Sequence, residues 1–314
     1  SKLLNELLRR RLQGFTRIYL TNTSVLHTNN MTKLIMLMGL PASGKSTAAK
    51  EILKQGNWLR VNRDLIREMY HNNVWSGKKE DMTVGLEKTA ASLALAKGYS
   101  VVVDDTNLTK SNKDMWKNVA KIMEASFQTK NIDTDYKTCI ERDSLRPNPV
   151  GEQVIKEFAF SSRRYPQERP FIICDIDGTI ADIAHRLEYV KGDTKDWKSF
   201  FANIDNDSPR QDIIDEVFEL ANLKQQEVIF VTGRPDTYRK ETEAWLEKYA
   251  PDYSILLMRR GNDKRPDNEV KQGIYDKFLK HYEIDMIYDD RPRVIRMWRE
   301  NKLTVKDVGP GIEF

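Results

Sequence analysis

Two short runs of residues are spaced for phosphoryl chemistry. Gly39-Leu40-Pro41-Ala42-Ser43-Gly44-Lys45-Ser46-Thr47 fits G-x-x-x-x-G-K-S and follows the apolar run Leu34–Met38. Glycines at both ends let the backbone curl so that successive N–H groups point inward, and a helix opening near Lys45 adds the positive end of its dipole. Such a cradle holds nucleotide phosphates with Gly39, Ser43, Gly44, Lys45, Ser46 and Thr47; Lys45 neutralises β and γ oxygens and Ser46 holds Mg²⁺. The second run, Phe171-Ile172-Ile173-Cys174-Asp175-Ile176-Asp177-Gly178-Thr179, is an apolar strand running into D-x-D-G-T. Alternate residues of an extended strand end point the same way, and Gly178 lets the chain turn at once.

Elements that position the cradle are legible around it. Apolar strands at Leu34–Met38, Trp58–Val61, Tyr99–Val103 and Ser126–Ile132, with helical stretches between them, predict a parallel α/β domain whose ligand groups lie at the carboxyl ends of the strands. Asn62-Arg63-Asp64 falls there, with Arg67 one helical turn on. Asp64, facing the crevice of Lys45, could take the proton from an incoming hydroxyl while Arg67 grips a phosphate on the acceptor; equally, an Asp before a helix serves as an N-cap. Asp104-Asp105-Thr106-Asn107 ends the next strand, where a carboxylate can organise Mg²⁺ and water; Asp105, Thr106 and Asn107 are expected at the substrate, and the choice between Asp104 and Asp105 stays open. Arg142 and Arg146, at i and i+4 before Pro147, share a helix face suited to a lid over the triphosphate, or else form a solvated basic face beside Glu141 and Asp143.

At 314 residues the chain predicts two domains. The expected division is 1–30 a leader or appended extension, 31–162 the cradle domain, 163–170 a polar, proline-bounded linker, and 171–314 the second domain. Residues 1–30 combine leucines at helical spacing with Arg9, Arg10 and Arg11, then a Thr/Asn-rich stretch before Met31, a natural start. With 51 Lys+Arg against 47 Asp+Glu the net charge is +4, which permits nucleic-acid binding without demonstrating it. Cys139 and Cys174, far apart in sequence, read as reduced packing thiols of a cytoplasmic protein. No signal peptide or membrane-spanning run is recognisable, and His27, His71 and His281 lack ligand-spaced partners for zinc.

The D-x-D-G-T strand end resembles the haloacid dehalogenase phosphatases. The resemblance implies Asp175 as nucleophile forming an aspartyl-phosphate, Asp177 as acid/base, and Mg²⁺ bridging carboxylate and phosphate. Supporting residues follow in that superfamily's order: Thr232, Gly233 and Arg234 at the end of the strand Val228–Val231 for the phosphoryl oxygens, Lys271 to balance charge, and Asp289 and Asp290 after Ile284–Tyr288 to complete an oxygen-ligand metal site with Asp175 and Asp177. The segment between Asp177 and Thr232 is too short for a large cap, which leaves the site open to a bulky substrate. Arg186 within it contacts the substrate phosphate or lies on the surface.

Together the halves resemble the phage-type polynucleotide 5′-kinase/3′-phosphatase family from Met31 onward. What this implies is a P-loop kinase using ATP or another NTP, with Asp64 as base, Arg67 on the acceptor, and Arg142 and Arg146 in the lid. A haloacid dehalogenase-like, Rossmannoid phosphatase that uses Mg²⁺ follows it. DNA or RNA ends are the implied partners, with a ligase as functional partner, no membrane, oligomerisation left open, and a host-cell cytoplasm if the chain is phage-encoded. Rival expectations are a nucleoside or metabolite kinase fused to a small-molecule phosphatase, and an ATP-switched nucleic-acid-binding module.

Overall fold

The computed structural model describes residues 31–309 except Trp75 and Gly192; the basic stretch of residues 1–30 lies outside them. The described residues form two compact units: one gathers residues 31–36 with Ile52–Val103 and Asp114–Gln128, the other Leu37–Glu51, Asp104–Lys113 and residues 129–309. The phosphate loop thus belongs by its contacts to the unit that also holds the second motif.

Strands β1 (Lys33–Met38), β2 (Trp58–Val61), β3 (Ser100–Val103) and β4 (Ser126–Asn131) form a four-stranded sheet in the order β2-β3-β1-β4, with β2 on β3 and β3 on β1 parallel. Each bound lies within a residue of the sequence expectation. Val101, Val102 and Val103 are fully buried, as a parallel sheet covered on both faces requires. Helices α1 (Lys45–Leu53), α2 (Arg63–His71), α3 (Gly77–Ala96), α4 (Lys110–Ile122), α5 (Tyr136–Ser144) and α6 (Glu152–Ser161) intervene or follow.

The second sheet is five-stranded and parallel: β5 (Phe171–Cys174), β8 (Val228–Pro235), β9 (Ile255–Arg259), β10 (Ile284–Asp289) and β11 (Val305–Asp307), in the order β11-β10-β5-β8-β9. A short antiparallel pair, β6 (Ala181–Asp182) and β7 (Ser208–Pro209), stands apart from it. Alternation along the strands builds two cores. Phe171, Ile173, Ile229, Val231 and Ile287 face one side, packed by Phe160 of α6, by Val270 of α10 (Asp267–Ile274) and by Trp298 of α11 (Pro292–Glu300). Ile172, Cys174, Val228, Phe230 and Tyr288 face the other, under α8 (Gln211–Lys224) and α9 (Arg239–Tyr249). The remaining α-helix of the described residues, α7 (Trp197–Ala202), lies in the Asp177–Thr232 segment. Cys139 and Cys174 are both buried thiols. Among the described residues no helix is long and apolar enough to cross a membrane.

One element departs from expectation. Helix α5 stops at Ser144 with Leu145 as its C-cap, so Arg142 and Arg146 do not share a helix face. The buried Asp143 carboxylate causes the break: it accepts from Arg146 Nη1 at 3.1 Å and from the Gly151 amide at 2.9 Å, drawing the Pro147–Gly151 segment back over the helix end before Pro147 is reached.

Candidate active sites

The phosphate loop is braced from several sides. Gly39 donates its N–H to Thr106 O at 3.2 Å, and Asn107 Nδ2 donates to Leu37 O at 3.0 Å. Asn107 is fully buried and left-handed at φ 49°, so its amide anchors the strand leading into the loop rather than facing a substrate, a departure from the expected substrate role. Thr134 Oγ1 and Arg142 Nη1 both donate to Ser43 O, at 2.8 and 3.5 Å. A Cβ on Gly39 would meet Ser43 Oγ and Ile132 O below 3.0 Å, and Gly44 sits at φ +99°, so both glycines are required by the curl. Lys45 Nζ donates to Gly39 O (3.1 Å) and Leu40 O (2.5 Å), folded inside the ring it would lend to a phosphate. Ser46 and Thr47 open α1 behind it.

In the other unit, Asn62 rather than Asp64 caps α2, its side chain accepting from Leu65 N at 3.0 Å. The cap alternative for Asp64 therefore falls away. Asp64 is 82% exposed and accepts from Arg67 Nη1 at 2.5 Å, while Arg67 grips Glu80 through two bonds of 2.8 Å. The Arg67 hydrogen bond holds Glu80 below its ordinary pKa. At the end of β3, Asp104 is buried and Asp105 half-buried.

The second site lies at the carboxyl ends of β5, β8 and β10, where open α/β sheets place ligands. Lys271, on α10 and 1% exposed, carries its ammonium 2.7 Å from Asp175 Oδ1, 2.9 Å from Asp289 Oδ2 and 3.7 Å from Asp267 Oδ2. Burial works to neutralise it, but Asp175, Asp289 and Asp267 outweigh burial and keep it protonated. Asp175, Asp289 and Asp290 each bring a carboxylate oxygen within 4.8 Å of the others. Burial first, then the neighbouring acids, pushes Asp175 well above the carboxylate range against the pull of Lys271, and pushes Asp290 up to about 7. Three buried carboxylates crowded this way suit a hard divalent cation. Gly178 has φ +83°, and a Cβ there would collide with the Asp290 carboxylate, which explains the glycine of D-x-D-G-T.

Asp177 departs from the expected ligand set. Its Oδ1 accepts from Arg186 Nη2 (2.5 Å) and from Arg234 Nε (2.9 Å) and Nη2 (2.5 Å), so its side chain is outside the carboxylate trio. Burial works to raise its pKa, but the two guanidiniums outweigh burial and hold it well below the usual range. Arg186 and Arg234 are themselves fully buried, which removes the surface alternative for Arg186 and turns both toward Asp177. Thr232 is buried and accepts the Arg234 N–H at 3.2 Å; Gly233 leaves room for the Asp267 carboxylate.

Sequence reasoning missed Asp207 and Asp267. Asp207, fully buried in its side chain, accepts from Arg186 Nε (2.6 Å) and Nη2 (2.7 Å), Arg234 Nη2 (2.7 Å) and pairs with His185 Nε2 (3.0 Å). It anchors both arginines against Asp177, and nothing local in sequence marks it. Asp267 stands at i−4 from Lys271, a spacing that could have found it. A pocket of about 550 Å³ opens over the group, lined by Asp175, Asp177, Trp197, Lys264, Arg265 and Arg293 among others.

A cation entering the trio must displace the Asp290 proton. Because that pKa is raised, affinity falls as pH drops through 7, while the metal-free protein loses the stability of the protonated form as pH rises through the same point. Magnesium titrations followed by thermal shift should therefore show binding weaker by about fivefold at pH 6 than at pH 7. An affinity flat from pH 6 to pH 8 would contradict the crowding of these carboxylates.

Two parallel α/β folds in one chain, one with a Gly-rich phosphate loop and one with carboxylates gathered at its strand ends, define a P-loop domain followed by a haloacid dehalogenase-like domain. Residues 34–165 match the family model of the AAA domain, and residues 169–312 that of the polynucleotide kinase PNKP phosphatase domain. Over 299 residues the chain is 28% identical to a protein of Autographa californica nuclear polyhedrosis virus named for polynucleotide kinase and RNA ligase, covering 86% of this chain and 41% of that one. It is 25% identical over 159 residues to the bifunctional polynucleotide phosphatase/kinase of Schizosaccharomyces pombe, covering 49% and 35%. A chain of the Pnkp1/Rnl/Hen1 RNA repair complex aligns with 26% identity and a TM-score of 0.40, over 93% of this chain and 100% of that chain. This chain spans less than half the length of either of these two relatives.

Proposed function

We propose that the chain is a nucleic-acid end-healing enzyme that transfers the γ-phosphate of ATP or another NTP to 5′-hydroxyl ends and hydrolyses 3′-phosphate ends. The observation that carries this reading is the buried Asp175–Lys271–Asp289 constellation, in a region that matches the PNKP phosphatase family model, on the same chain as a braced G-x-x-x-x-G-K-S loop. In the kinase half Lys45 leaves its carbonyl partners for the β and γ oxygens, the exposed Asp64 takes the proton of the incoming hydroxyl, and Arg67 orients the acceptor. Arg142, already on Ser43 O, covers the loop, with Arg146 beyond the helix end.

In the phosphatase half Asp175 attacks phosphorus, the bond from phosphorus to the 3′ oxygen breaks, and that oxygen takes a proton from solvent in the open pocket. Water then attacks the aspartyl-phosphate, Asp177 accepts its proton, and inorganic phosphate leaves. Mg²⁺ held by Asp175, Asp289 and Asp290 would neutralise charge on the phosphoryl oxygens. Ionised Asp177 is the form that accepts a proton; its service as acid to the leaving oxygen requires a proton that Arg186 and Arg234 oppose. A ligase joins a 3′-hydroxyl to a 5′-phosphate, so the two activities prepare one break for sealing. The viral relative, named for both kinase and RNA ligase, supports that partnership.

Lys45→Ala and Asp64→Ala are expected to abolish kinase activity while sparing the phosphatase, and Asp175→Asn the converse. The assay uses DNA and RNA oligonucleotides bearing 5′-hydroxyl and 3′-phosphate ends, with and without ATP. Loss of both activities from either change in a folded protein would sink the assignment, and equal use of mononucleoside 3′-phosphates and oligonucleotides by the kinase would favour a metabolite enzyme.

A further inference from the structure

The Asp177–Thr232 segment carries an aromatic cluster that hydrolysis of a phosphate monoester does not need. Trp197 opens α7, and Phe200 and Phe201 follow within one turn. The Trp197 and Phe201 rings are stacked, with centroids 6.0 Å apart and planes 21° from parallel, and Tyr238 stands 5.5 Å from Phe201. Phe200 is buried beneath the Arg186 guanidinium, 4.2 Å from Cζ to the ring centroid, and Arg186 holds Asp177. The cluster is therefore tied to the reacting carboxylates by two contacts in series.

Trp197, in contrast, is 41% exposed, and with Phe201 it lines the same pocket as Asp175 and Asp177. Lys264, Arg265 and Arg293 line that pocket too, and the Lys195 ammonium lies 5.8 Å from the Trp197 ring centroid. Flat aromatic faces beside cations match a nucleobase attached to a sugar-phosphate, and stacking accepts any base because every base has a π-face. A small monoester would engage only the carboxylates and Lys271.

Resting on the reading that this domain acts on 3′-phosphate ends, we propose that Trp197 and Phe201 form a stacking shelf for the base of the terminal nucleotide. The shelf makes the pocket select polynucleotide ends over small phosphate monoesters, without sequence preference.

The test reads the ratio of kcat/KM for a 3′-phosphorylated oligonucleotide to that for β-glycerol phosphate, a small monoester with no π-face to stack. In Trp197→Ala the ratio is expected to fall about 5- to 150-fold, chiefly through KM for the oligonucleotide, and Trp197→Phe is expected to restore most of it. The unsubstituted protein should show a comparable loss when the terminal nucleotide is abasic, a comparison that does not depend on how the variant folds. An unchanged ratio in Trp197→Ala, or an abasic end used as well as an intact one, overturns the shelf and leaves 3′-phosphatase activity standing. If the unsubstituted protein hydrolyses β-glycerol phosphate but no oligonucleotide 3′-phosphate, the underlying reading falls and the shelf with it.

Discussion

Lys271→Met is expected to lower the melting temperature of the metal-free protein at pH 8 by roughly 10 °C and to cut 3′-phosphatase activity by about a thousandfold or more. Lys271 is the ammonium shared by Asp175, Asp267 and Asp289, all buried, and methionine matches its length without its charge. Removing one partner of a buried ion cluster costs about 3–5 kcal/mol because the remaining charges stay desolvated. A loss of that size moves the midpoint of a domain this large by about 2–4 °C per kcal/mol. The raised pKa of Lys271 means its contribution is fully present at every pH below its ordinary value, so it does not vary between pH 6 and 8. The carboxylates do vary. As pH falls they take up protons, their repulsion fades, and the deficit of the variant is expected to shrink by pH 6. Magnesium should recover part of the lost stability at pH 8, since a divalent cation among Asp175, Asp289 and Asp290 supplies the missing charge. Differential scanning calorimetry at two pH values, with and without Mg²⁺, checks all three effects. A midpoint within about 2 °C of the parent in metal-free buffer at pH 8 would show that the cluster is not held together as its geometry implies.

Asp177→Asn is expected to lower steady-state 3′-phosphatase activity by about 10²- to 10⁴-fold while a phosphorylated enzyme accumulates. The argument turns on the protonation state of Asp177. Arg186 and Arg234 hold its carboxylate ionised, the form that in the proposed mechanism takes a proton from the water attacking the aspartyl-phosphate. The amide cannot accept that proton, so the second half of the reaction stalls. p-Nitrophenolate leaves without protonation, and with p-nitrophenyl phosphate the variant should release a burst of one equivalent before slowing. Acid-quenched phosphoprotein and stopped-flow absorbance measure the two quantities. Loss of the burst together with absence of phosphoprotein would place the defect in the attack by Asp175 instead. The kinase activity proposed for Lys45 and the loop around it serves as the control for folding.

The phosphate loop and the D-x-D-G-T strand end were readable from the linear chain because their signals are local. Gly39 and Gly44 are constrained by the turn they make themselves, and Asp175 and Gly178 by a strand end and its exit. Burial on both faces of parallel sheets writes itself as short unbroken apolar runs, which is why β1 to β4 fell within a residue of their expected bounds. Lys271 was also placed near Asp175, through the order of motifs rather than any property of its neighbours.

What the tertiary structure decided was the partner of each charge. Asp143 ends α5 early by accepting from residues beyond it, and so separates Arg142 from Arg146. Asn62 takes the cap that could have occupied Asp64. Asp207 binds Arg186 and Arg234 across 21 and 27 residues of chain, and those arginines in turn hold the Asp177 side chain apart from the carboxylate trio. Backbone conformation depends on near neighbours and is written in residue type and spacing. A buried charge is satisfied by whichever opposite charge the fold brings within hydrogen-bonding distance, and that distance is a property of the packed chain alone.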